Sequence, residues 1–455
     1  MNPRVFREYD IRGAADRDLD DAFTGDLGRA IGTYLCRAGS KRITLGRDCR
    51  VHSPRLHAAL LEGLLATGLD VIDVGIVSTP LLYFSVFHLD SDGGVQITGS
   101  HNPPEDNGFK ILKFKNTIYG DEIQHLRKMV EARDFVIAKT PGKVTSQSID
   151  DAYLQHARAH IELGPRRFRV VVDAGNGTGG VVCVPLLRAL GFEVTPLYCE
   201  MDGRFPNHHP DPTVEKNVAD LIKEVAKVDA EVGIALDGDA DRIGVVDRRG
   251  RIVWGDQLMI LFARAILKEK PGATFVSEVK CSQALYDEVA RAGGKAIMWK
   301  VGHSLIKAKM KEEHAELAGE MSGHIFFANR YLGFDDAIYA AARLVELLSR
   351  SDTTLAEHVD SLPKVFNTPE LRVDASDDKK FEIVKKVVER FRRDHTVIDV
   401  DGARIQFSGG WALVRASNTQ AALVLRFEAK SQDRLDEIRD LVERELGTIK
   451  KSLGA

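Results

Sequence analysis

The hydrophobic and polar positions of this chain follow one pattern that occurs three times. Each copy contains a β-rich apolar run, a loop, an amphipathic helical segment and a second β-rich run. The predicted strands are 43–48, 69–75, 169–173, 192–198, 274–278 and 295–301, and the predicted helices are 54–67, 181–190 and 282–292. This order predicts three βαβ units with predominantly parallel, helix-covered sheets.

A glycine follows each predicted helix. Gly68, Gly191 and Gly293 stand where a helix commonly ends in a left-handed backbone conformation, which a Cβ atom penalises. A helix-ending glycine at the same place in all three copies supports three related α/β domains rather than one irregular fold.

The pattern changes from Asn367 onward. Strands are predicted at 369–374, 397–407, 411–417 and 422–429, and helices at 379–393 and 433–446, which indicates an α+β domain. Turn formers and charged residues interrupt the periodic segments near Ile149, Gly250 and Pro363. We therefore predict the fold class as three similar mixed α/β domains, 1–147, 148–250 and 251–364, plus a C-terminal α+β domain, 365–455.

Length and composition fit this picture. The chain has 455 residues, 44% hydrophobic and 29% charged, which is typical of an ordinary globular protein with about three domains. Lysine and arginine total 63 against 67 acidic residues, a formal charge of −4. No global basic field favours nucleic acid or an anionic membrane as a partner, so an anionic ligand must be bound by local cations.

The spacing of the cysteines and the length of the apolar runs indicate the cellular compartment. The five cysteines, Cys36, Cys49, Cys183, Cys199 and Cys281, are scattered and lack zinc-site or disulfide spacing, so we expect reduced thiols. The first residues are charged, and the sequence contains no signal-peptide pattern or long apolar run. We expect a cytoplasmic protein.

The first segment with candidate chemistry is TGSHNPPEDNGFK, 98–110, which follows an apolar strand. Ser100, His101 and Lys110 place a hydroxyl, a titratable base and a cation on one loop. This set is suited to phosphoryl transfer to or from serine. The alternative is a surface turn with an ordinary capping serine. Because Ser100 does not lie in a G-x-S-x-G pattern, an α/β-hydrolase is not favoured.

The second segment is GIALDGDADRIGVVD, where Asp237, Asp239 and Asp241 follow an apolar run. Three carboxylates at alternate positions repel one another unless a divalent cation lies among their oxygens, and Mg²⁺ prefers oxygen ligands. The alternative is an acidic turn. The apolar runs on both sides place the cluster at the end of a strand, where α/β folds bind ligands, so we favour magnesium.

Two further polar segments have weaker signals. AGEMSGHIFFANR presents Glu320, Ser322 and His324, an acceptor, a hydroxyl and an imidazole suited to a small polar ligand such as a sugar. RASNTQ, 415–420, offers a guanidinium, hydroxyls and an amide that could bind a phosphate. A polar turn explains the first segment equally well, and a hairpin turn explains the second.

The loop DAGNGTGG resembles a dinucleotide-binding fingerprint. Gly175, Gly177 and Gly180 fit G-x-G-x-x-G after a strand, and Glu200 follows about twenty residues later. A short glycine pattern is a weak signal, and the helix that follows is fully explained by packing on its strand. We favour a glycine loop that permits tight packing of strand and helix over a dehydrogenase site.

Taken in order, TGSHNP, DGDADR, GEMSGH and RASNT resemble the four signature loops of the α-D-phosphohexomutases, in particular the bacterial phosphomannomutase/phosphoglucomutase branch. The resemblance covers the whole chain and implies four domains around a central active-site cleft. Departures are Ala240, where glycine is frequent, and Gln420 with Ala421, near which a proline is often found. Neither removes a predicted contact.

The resemblance implies the following roles. Ser100 is the phosphoserine and, with Asp237, Asp239 and Asp241, a magnesium ligand, while His101 and Lys110 handle protons beside it. The residues implied to bind substrate are Tyr9, Arg12, Arg242, Lys280, His303, Glu320, Ser322, His324, Arg415, Ser417, Asn418 and Thr419. Of these, 415–419 hold the phosphate that is not transferred.

The implied activity is an intramolecular phosphotransfer, an isomerisation of hexose 1-phosphate and hexose 6-phosphate, with mannose, glucose or both as substrate. A hexose 1,6-bisphosphate is the intermediate and activator, and it must turn over in the cleft between the two transfers. We expect a phosphosugar as the partner and a monomer, with a dimer left open.

Three alternatives remain. Phosphoglucosamine mutase shares the chemistry, although Met321 resembles the mannose/glucose branch. A haloacid-dehalogenase-like phosphatase would use Asp237 as nucleophile and Asp239 as acid. A non-catalytic phosphosugar-binding protein would bind the ligand without turnover.

Overall fold

The computed structural model describes residues 1–418 and 420–454. The first sheet contains β1 (Ile11–Ala14), β2 (Arg42–Arg47), β3 (Asp70–Ile76), β4 (Gly93–Ile97), β5 (Asp106–Lys113), β6 (Asn116–Thr117) and β7 (Val144–Ser146). Its helices are α1 (Asp21–Arg37), α2 (Ser53–Ala66), α3 (Thr79–His88) and α4 (Asp121–Ala132). The strand order is β1-β5-β4-β2-β3-β7, with β6 paired to β5.

The second sheet has the order β12-β11-β10-β8-β9. Its strands are β8 (Arg169–Asp173), β9 (Glu193–Leu197), β10 (Val232–Leu236), β11 (Ile243–Asp247) and β12 (Ile252–Val253), and its helices are α5 (Asp150–Ala159), α6 (Gly180–Ala189) and α7 (Ala219–Lys227). Strands β8, β9 and β10 run parallel, whereas β11 and β12 form an antiparallel edge.

The third sheet has the order β14-β13-β15-β16. Its strands are β13 (Thr274–Glu278), β14 (Lys295–Trp299), β15 (Leu317–Gly319) and β16 (Ile325–Phe327), and its helices are α8 (Gly255–Glu269), α9 (Gln283–Arg291), α10 (His303–Glu312), α11 (Ala337–Ser349) and α12 (Leu355–Asp360). The pair β15–β16 is antiparallel and the other pairs are parallel.

The last part of the chain forms an antiparallel sheet with two helices. Its elements are β17 (Phe366–Asn367), β18 (Leu371–Asp374), α13 (Lys380–Phe391), β19 (Val397–Ile398), β20 (Ala403–Phe407), β21 (Gly410–Ala416), β22 (Ala422–Ala429) and α14 (Gln432–Ser452). The strand order is β17-β22-β21-β20-β19, with β18 also paired to β22. The α+β prediction for this region is confirmed.

The three predicted βαβ units are present. In each, the first and second predicted strands are parallel neighbours: β2 with β3, β8 with β9, and β13 with β14. Gly68, Gly191 and Gly293 have φ values of +86°, +88° and +81°, which explains the glycine after each helix. The sheets also contain antiparallel edge strands, which the βαβ pattern alone does not include.

One apolar core joins the first three sheets. It contains buried residues from α3, α5, α6, α8 and α11, so helices from all three domains pack against one another. The first and last sheets also have separate cores of their own. Within residues 1–418 and 420–454, no helix is long and apolar enough to cross a membrane.

The last domain is fixed to the third by a buried polar joint. Arg404 is fully buried and donates to the carbonyl oxygens of Val279 (2.5 Å) and Cys281 (2.8 Å), and its guanidinium lies 3.8 Å from the centre of the Trp411 ring. Arg426, also buried, donates to the carbonyl oxygen of Lys280. Two arginines from one domain thus satisfy three consecutive backbone carbonyls of another, where unpaired polar groups would be costly.

We expect Arg404→Met to destabilise this joint by roughly 3 kcal/mol, because the carbonyls of Val279 and Cys281 lose their donor and each buried unpaired carbonyl costs about 1–3 kcal/mol. The measurement is the urea midpoint of unfolding, followed by tryptophan fluorescence. The control is Arg434→Met, at a partly exposed arginine that donates to the Ser408 carbonyl and pairs with Glu437, and this change should alter stability by less than about 0.5 kcal/mol. Equal shifts in both variants would contradict a structural role for the joint.

The buried carboxyl group of Asp336 makes the stability of the fold depend on pH. Its carboxylate caps α11 by accepting from the Tyr339 N–H (2.8 Å) and also accepts from the hydroxyls of Tyr153 (2.8 Å) and Tyr331 (2.7 Å). Burial raises the pKa of Asp336 from 3.8 to about 6. The folded state therefore binds the proton more tightly than the unfolded state, so this group stabilises the fold at low pH and the contribution is lost as pH rises from about 4 to 6.

Asp336→Asn cannot titrate. The free energy of unfolding of the wild-type protein, minus that of this variant, should fall by up to roughly 3 kcal/mol between pH 4 and pH 6. This amount is the free-energy equivalent of the pKa shift of Asp336. Urea titrations of both proteins at each pH measure this difference. The contributions of the other titratable groups are the same in both proteins and cancel. A difference that does not vary with pH would mean that the buried carboxyl titrates normally.

Candidate active site

All four predicted site loops connect antiparallel strand pairs. The loops lie between β4 and β5, β10 and β11, β15 and β16, and β21 and β22. In the first three domains the strand that enters the loop belongs to the parallel part of its sheet, and the strand that leaves it forms the antiparallel part. The antiparallel edges missed by the sequence analysis are therefore the elements that return the chain from each site loop.

Ser100 lies at the tip of the first loop. It has a left-handed backbone conformation with φ of +48° and is 2% exposed. Its Oγ donates to Asp237 Oδ2 at 2.7 Å and lies 3.0 Å from His101 Nδ1. A non-glycine residue with positive φ is uncommon and is concentrated at functional sites. The structure thus brings Ser100 to the first aspartate of the second loop, from another domain.

Arg50 holds the Ser100 loop in this shape, and the sequence analysis missed it. Its guanidinium is buried and donates to the carbonyl oxygens of Ser100 (2.7 Å), Asn102 (2.7 Å), Pro103 (2.5 Å) and Asp106 (3.0 Å). Four converging carbonyls need a fork of N–H donors, which arginine supplies and lysine does not. The available signal was the charged segment GRDCR, 46–50, which begins in the last two residues of β2 at the carboxyl end of a parallel strand.

The three aspartates of the second loop form one cluster. Asp237, Asp239 and Asp241 are each 0% exposed, and each offers a carboxylate oxygen within 4.8 Å of the others. Burial, together with Asp241 and Asp239, raises the pKa of Asp237 well above its usual range. Within the part of the chain that is described, one oxygen each of Asp239 and Asp241 has no hydrogen-bond partner. This donor set fits a hard divalent cation such as Mg²⁺.

Lys110 neutralises part of this charge. Its buried ammonium contacts Asp239 (2.8 Å) and forms a close ion pair with Asp241. Burial alone would lower the pKa of Lys110, but Asp239 and Asp241 outweigh it and raise the pKa. Burial and the nearby Arg242 lower the pKa of His101 well below its usual range. Near neutral pH, Lys110 is therefore a fixed cation and His101 a neutral base.

A threonine that the sequence analysis missed also holds the cluster. Thr79, at the start of α3, donates from its Oγ1 to Asp239 Oδ2 at 2.5 Å and from its N–H to the Asp239 carbonyl at 2.9 Å. Ala240 in the same loop has φ of +58°, a conformation that favours glycine and that alanine adopts at a cost of about 1 kcal/mol. This explains why glycine would suit the position.

The third loop faces the cluster from the third domain. The Nδ1 atom of His324 lies 2.8 Å from Glu320 and its Nε2 atom 3.3 Å from Asp241. Burial would lower the pKa of His324, but Asp241 and Glu320 outweigh it and raise the pKa to about 9. Ser322 Oγ is 3.2 Å from His324 Nδ1, and Glu320 Oε1 accepts from the Gly302 N–H, next to His303.

The fourth loop, from the last domain, completes the site together with Tyr9 of the first domain. Arg415 pairs with Asp401 at 3.1 Å, and Asn418 donates to the Tyr9 hydroxyl at 2.8 Å. Ser417 precedes Asn418 in the same loop, whereas Thr419 lies outside the described residues. The Tyr9 hydroxyl donates in turn to the Val301 carbonyl at 2.6 Å. Tyr9 therefore connects the first, third and last domains across the opening.

These loops surround a cleft of about 1060 Å³. The predicted residues that line it are Tyr9, Arg12, His101, Arg242, Lys280, His303, Glu320, Ser322, His324, Arg415, Ser417 and Asn418. Ser100, Lys110 and the three aspartates are buried at the cleft wall beside His101 and Arg242. Arg7 and Arg372 also line it, so the cleft is rich in cations although the whole chain is slightly acidic.

Glu278 is a buried carboxylate beside the cleft residues Lys280 and Met321, and the sequence analysis missed it. It ends β13, accepts from the Met321 N–H at 2.9 Å, and lies 3.6 Å from the ammonium of Lys280. Burial raises the pKa of Glu278 to about 7, although Lys280 acts in the opposite direction. Lys280 also pairs with Glu370 of the last domain at 3.2 Å. Glu278 thus orients both Lys280 and the loop that contains Glu320.

The glycine loop that resembled a dinucleotide site packs on the second site loop. A Cβ atom on Gly177 would lie 2.5 Å from the Gly238 carbonyl oxygen, and one on Gly180 would lie 2.7 Å from Cys199 Cβ. Gly175 has φ of +50°. The glycines are therefore explained by close packing, as the sequence analysis favoured.

Comparisons with known proteins agree with this geometry. The chain matches the family models described as phosphoglucomutase/phosphomannomutase domain I over 3–136, domain II over 151–250, domain III over 254–366 and C-terminal domain over 370–445. It is 44% identical to a phosphomannomutase/phosphoglucomutase of Pseudomonas aeruginosa, over 99% of this chain and 96% of that protein.

Further similarities cover the full length. The chain is 44% identical to a phosphoglucomutase of Neisseria gonorrhoeae, over 96% of this chain and 95% of that protein. A crystal structure of a phosphoglucomutase/phosphomannomutase family protein from Burkholderia thailandensis superposes with a TM-score of 0.94 at 40% identity, covering 99% of this chain and 98% of the other.

The position of Glu278 leads to a prediction. Glu278→Gln keeps an acceptor for the Met321 N–H and removes the charge beside Lys280, so we expect kcat/KM for a hexose phosphate to fall by about tenfold, equivalent to about 1.4 kcal/mol. Steady-state kinetics measure it. Glu224→Gln, at a half-buried carboxylate of α7 that pairs only with Lys227 among the described residues, is the control and should leave kcat/KM unchanged. Wild-type kinetics in Glu278→Gln would remove Glu278 from the positioning of Lys280.

Proposed function

Because this chain belongs to the phosphoglucomutase/phosphomannomutase family, we propose that Ser100 transfers the phosphoryl group in its interconversion of hexose 1-phosphate and hexose 6-phosphate. Hexose-phosphate mutase chemistry through a phosphoserine is the activity of the family. The observation that carries the assignment is the 2.7 Å contact of Ser100 Oγ with Asp237, inside the carboxylate cluster and behind a cationic cleft.

The proposed first transfer starts from phosphorylated Ser100. The free hydroxyl of a bound hexose monophosphate attacks the phosphorus atom, the bond from phosphorus to Ser100 Oγ breaks, and a hexose 1,6-bisphosphate forms. His101 is the proposed base, since its neutral imidazole lies 3.0 Å from Oγ. Lys110 and Arg242 place fixed positive charge where negative charge spreads over the phosphoryl oxygens.

Divalent metal dependence is common to the family, and the buried aspartate cluster is the site that fits the ion. Asp237, Asp239 and Asp241, with a phosphoserine oxygen, are the proposed ligands. Bound Mg²⁺ would neutralise charge on the transferring phosphoryl group. The hexose 1,6-bisphosphate that rephosphorylates the serine belongs to the same proposal.

The remaining predicted residues are proposed to bind the substrate. Glu320, Ser322 and His324 offer acceptors and donors to the ring hydroxyls. Arg415, Ser417 and Asn418 hold the phosphate that is not transferred, and Thr419 keeps the same role as a prediction. The bisphosphate must reverse its orientation between the two transfers, so we propose that the Tyr9–Asn418 contact opens to permit the turn.

Other parts of the sequence analysis stay predictions. These are the boundaries at 147/148, 250/251 and 364/365, the cytoplasmic location and the monomeric state. Phosphoglucosamine remains an alternative substrate. Against the phosphatase alternative, both Asp237 oxygens already accept hydrogen bonds, Oδ1 from the N–H groups of Asp241 and Arg242 and Oδ2 from Ser100, which leaves neither oriented as a free nucleophile.

We expect purified protein with Mg²⁺ and a trace of hexose 1,6-bisphosphate to convert glucose 1-phosphate, mannose 1-phosphate or both into the 6-phosphates. Ser100→Ala should reduce turnover by roughly a thousandfold or more, because it removes the atom that carries the phosphoryl group. A coupled assay of 6-phosphate formation measures both, and removal of Mg²⁺ should reduce turnover similarly.

Ser452→Ala, at an exposed helix-terminal serine, is the control and should retain full activity. Mass spectrometry of protein incubated with the bisphosphate should find phosphate on Ser100. Phosphate on Asp237, or turnover that survives Ser100→Ala, would contradict the assignment, and binding of hexose phosphate without turnover would favour a non-catalytic protein.

A further inference from the structure

An exposed tryptophan lies in the wall of the cleft, and the function proposed above gives it no role. Trp254, the residue before α8, lines the cleft and is 37% exposed. Small-molecule sites bury their ligands mainly against hydrophobic and aromatic side chains, while a few polar groups fix the orientation. The cleft described above is mostly charged and polar, so the exposed indole is a surface that a ligand can cover.

The other aromatic carbon ring among the described lining residues is that of Tyr9, and it is already engaged. Its hydroxyl donates to the Val301 carbonyl and accepts from Asn418. A Cβ atom on Gly302 would lie 2.4 Å from the Tyr9 Cζ atom, so the ring packs on the backbone of the third domain. Trp254 is therefore the aromatic ring of the cleft that is open to a sugar.

The backbone places Trp254 next to the loop that is proposed to bind the ring hydroxyls. A Cβ atom on the following residue, Gly255, would lie 2.3 Å from the carbonyl oxygen of Glu320 and 3.0 Å from that of Met321. Only glycine permits this approach. Trp254 and the sugar-binding loop therefore lie side by side in one wall of the cleft, which Met321 and Ser322 also line.

The backbone of Trp254 is held in place. Its N–H donates to Gln257 Oε1 at 3.0 Å, and its carbonyl accepts from the Leu258 N–H at 2.9 Å in the first turn of α8. Two residues on, the buried carboxylate of Asp256 accepts from the Ser282 N–H at 2.9 Å. A ligand that covers the indole therefore orders little of the chain, which keeps the cost of binding low.

The proposed reaction requires the sugar ring to be held in two opposite orientations. Hydrogen bonds with Glu320 and Ser322 are directional, so they must break and re-form when the hexose 1,6-bisphosphate turns. Contact between an indole ring and the C–H groups of a sugar is non-directional and follows the apolar area that is covered. An aromatic surface can therefore hold the ring in both orientations and between them.

We propose that Trp254 binds the sugar ring of the substrate through apolar contact in both orientations, and that this contact retains the hexose 1,6-bisphosphate while it turns. This inference rests on the proposed function, because the ligand is the substrate of the same cleft. Trp254 sets the affinity for the sugar ring, whereas Arg415 and its neighbours hold the phosphate that is not transferred.

The first test is the binding of glucose 1-phosphate and, separately, glucose 6-phosphate to Ser100→Ala protein, which lacks the atom that carries the phosphoryl group. With its phosphate held at Arg415, each ligand presents the ring in one of the two orientations. Both ligands should change the fluorescence of Trp254, which is the part of the emission lost in Ser100→Ala/Trp254→Phe. Adding Trp254→Ala should raise both Kd values by about tenfold, equivalent to about 1.4 kcal/mol, and adding Trp254→Phe should raise them by less than about threefold.

The second test uses the active enzyme. Trp254→Ala should raise by about tenfold the concentration of hexose 1,6-bisphosphate needed for half-maximal turnover, because the intermediate dissociates more often before it returns its phosphate. Phe381→Ala is the matched control, since Phe381 is an aromatic residue of α13 that is 58% exposed and does not line the cleft. It should change neither the Kd values nor this concentration.

Unchanged Kd values in Trp254→Ala, or a loss confined to one of the two ligands, would overturn the proposal. Weakened binding of both ligands beside an unchanged requirement for the bisphosphate would overturn the retention of the intermediate. These outcomes leave the proposed function intact, because both sugar phosphates bind. Failure of both to bind even the wild-type protein would instead remove the proposed function, and the role of Trp254 with it.

Discussion

The close contact between two backbone loops at Ser100 and Gly238 is the constraint on which the site depends. A Cβ atom on Gly238 would lie 2.5 Å from the Ser100 carbonyl oxygen, and Gly177 packs against Gly238 from the other side just as closely. Only glycine permits this approach. It places Ser100 Oγ 2.7 Å from Asp237, so the meeting of hydroxyl and carboxylate follows from backbone packing between two domains.

Charge is the second constraint. Burial and the charges of Asp241 and Asp239 raise the pKa of Asp237, and Lys110 offsets only part of the cluster's charge, because its ammonium contacts Asp239 and Asp241. The loop is held against its own repulsion by backbone N–H donors to Asp237 and by Thr79. Among residues 1–418 and 420–454, one oxygen each of Asp239 and Asp241 accepts no hydrogen bond, so the loop keeps acceptor capacity that suits a cation.

Local signals made much of this structure predictable. Periodicity and helix-ending glycines identified the βαβ units, and the acidic loop at a strand end identified the candidate metal site. Arg50, Thr79 and Glu278 were not predictable in the same way, because their roles depend on contacts between residues distant in sequence: Thr79 bonds Asp239 160 positions away. The antiparallel return of the first three site loops was not predicted, because a buried strand has the same hydrophobic pattern in either direction, whereas the hairpin considered for the fourth loop is present.

Two of the contacts that the last domain makes with the rest of the chain differ in kind, and the difference bears on the opening proposed above. At the joint, Arg404 and Arg426 are buried on backbone carbonyls beside Trp411, and separation would expose several unpaired groups at once. At the cleft mouth, Asn418 reaches Tyr9 through one hydrogen bond at an exposed side chain, which water can replace at little cost. In the opening proposed above, the contact at Tyr9 would break and the last domain would pivot about Trp411, so that the loop containing Arg415 would move furthest while Lys280, bonded to the joint through its carbonyl, would stay in place.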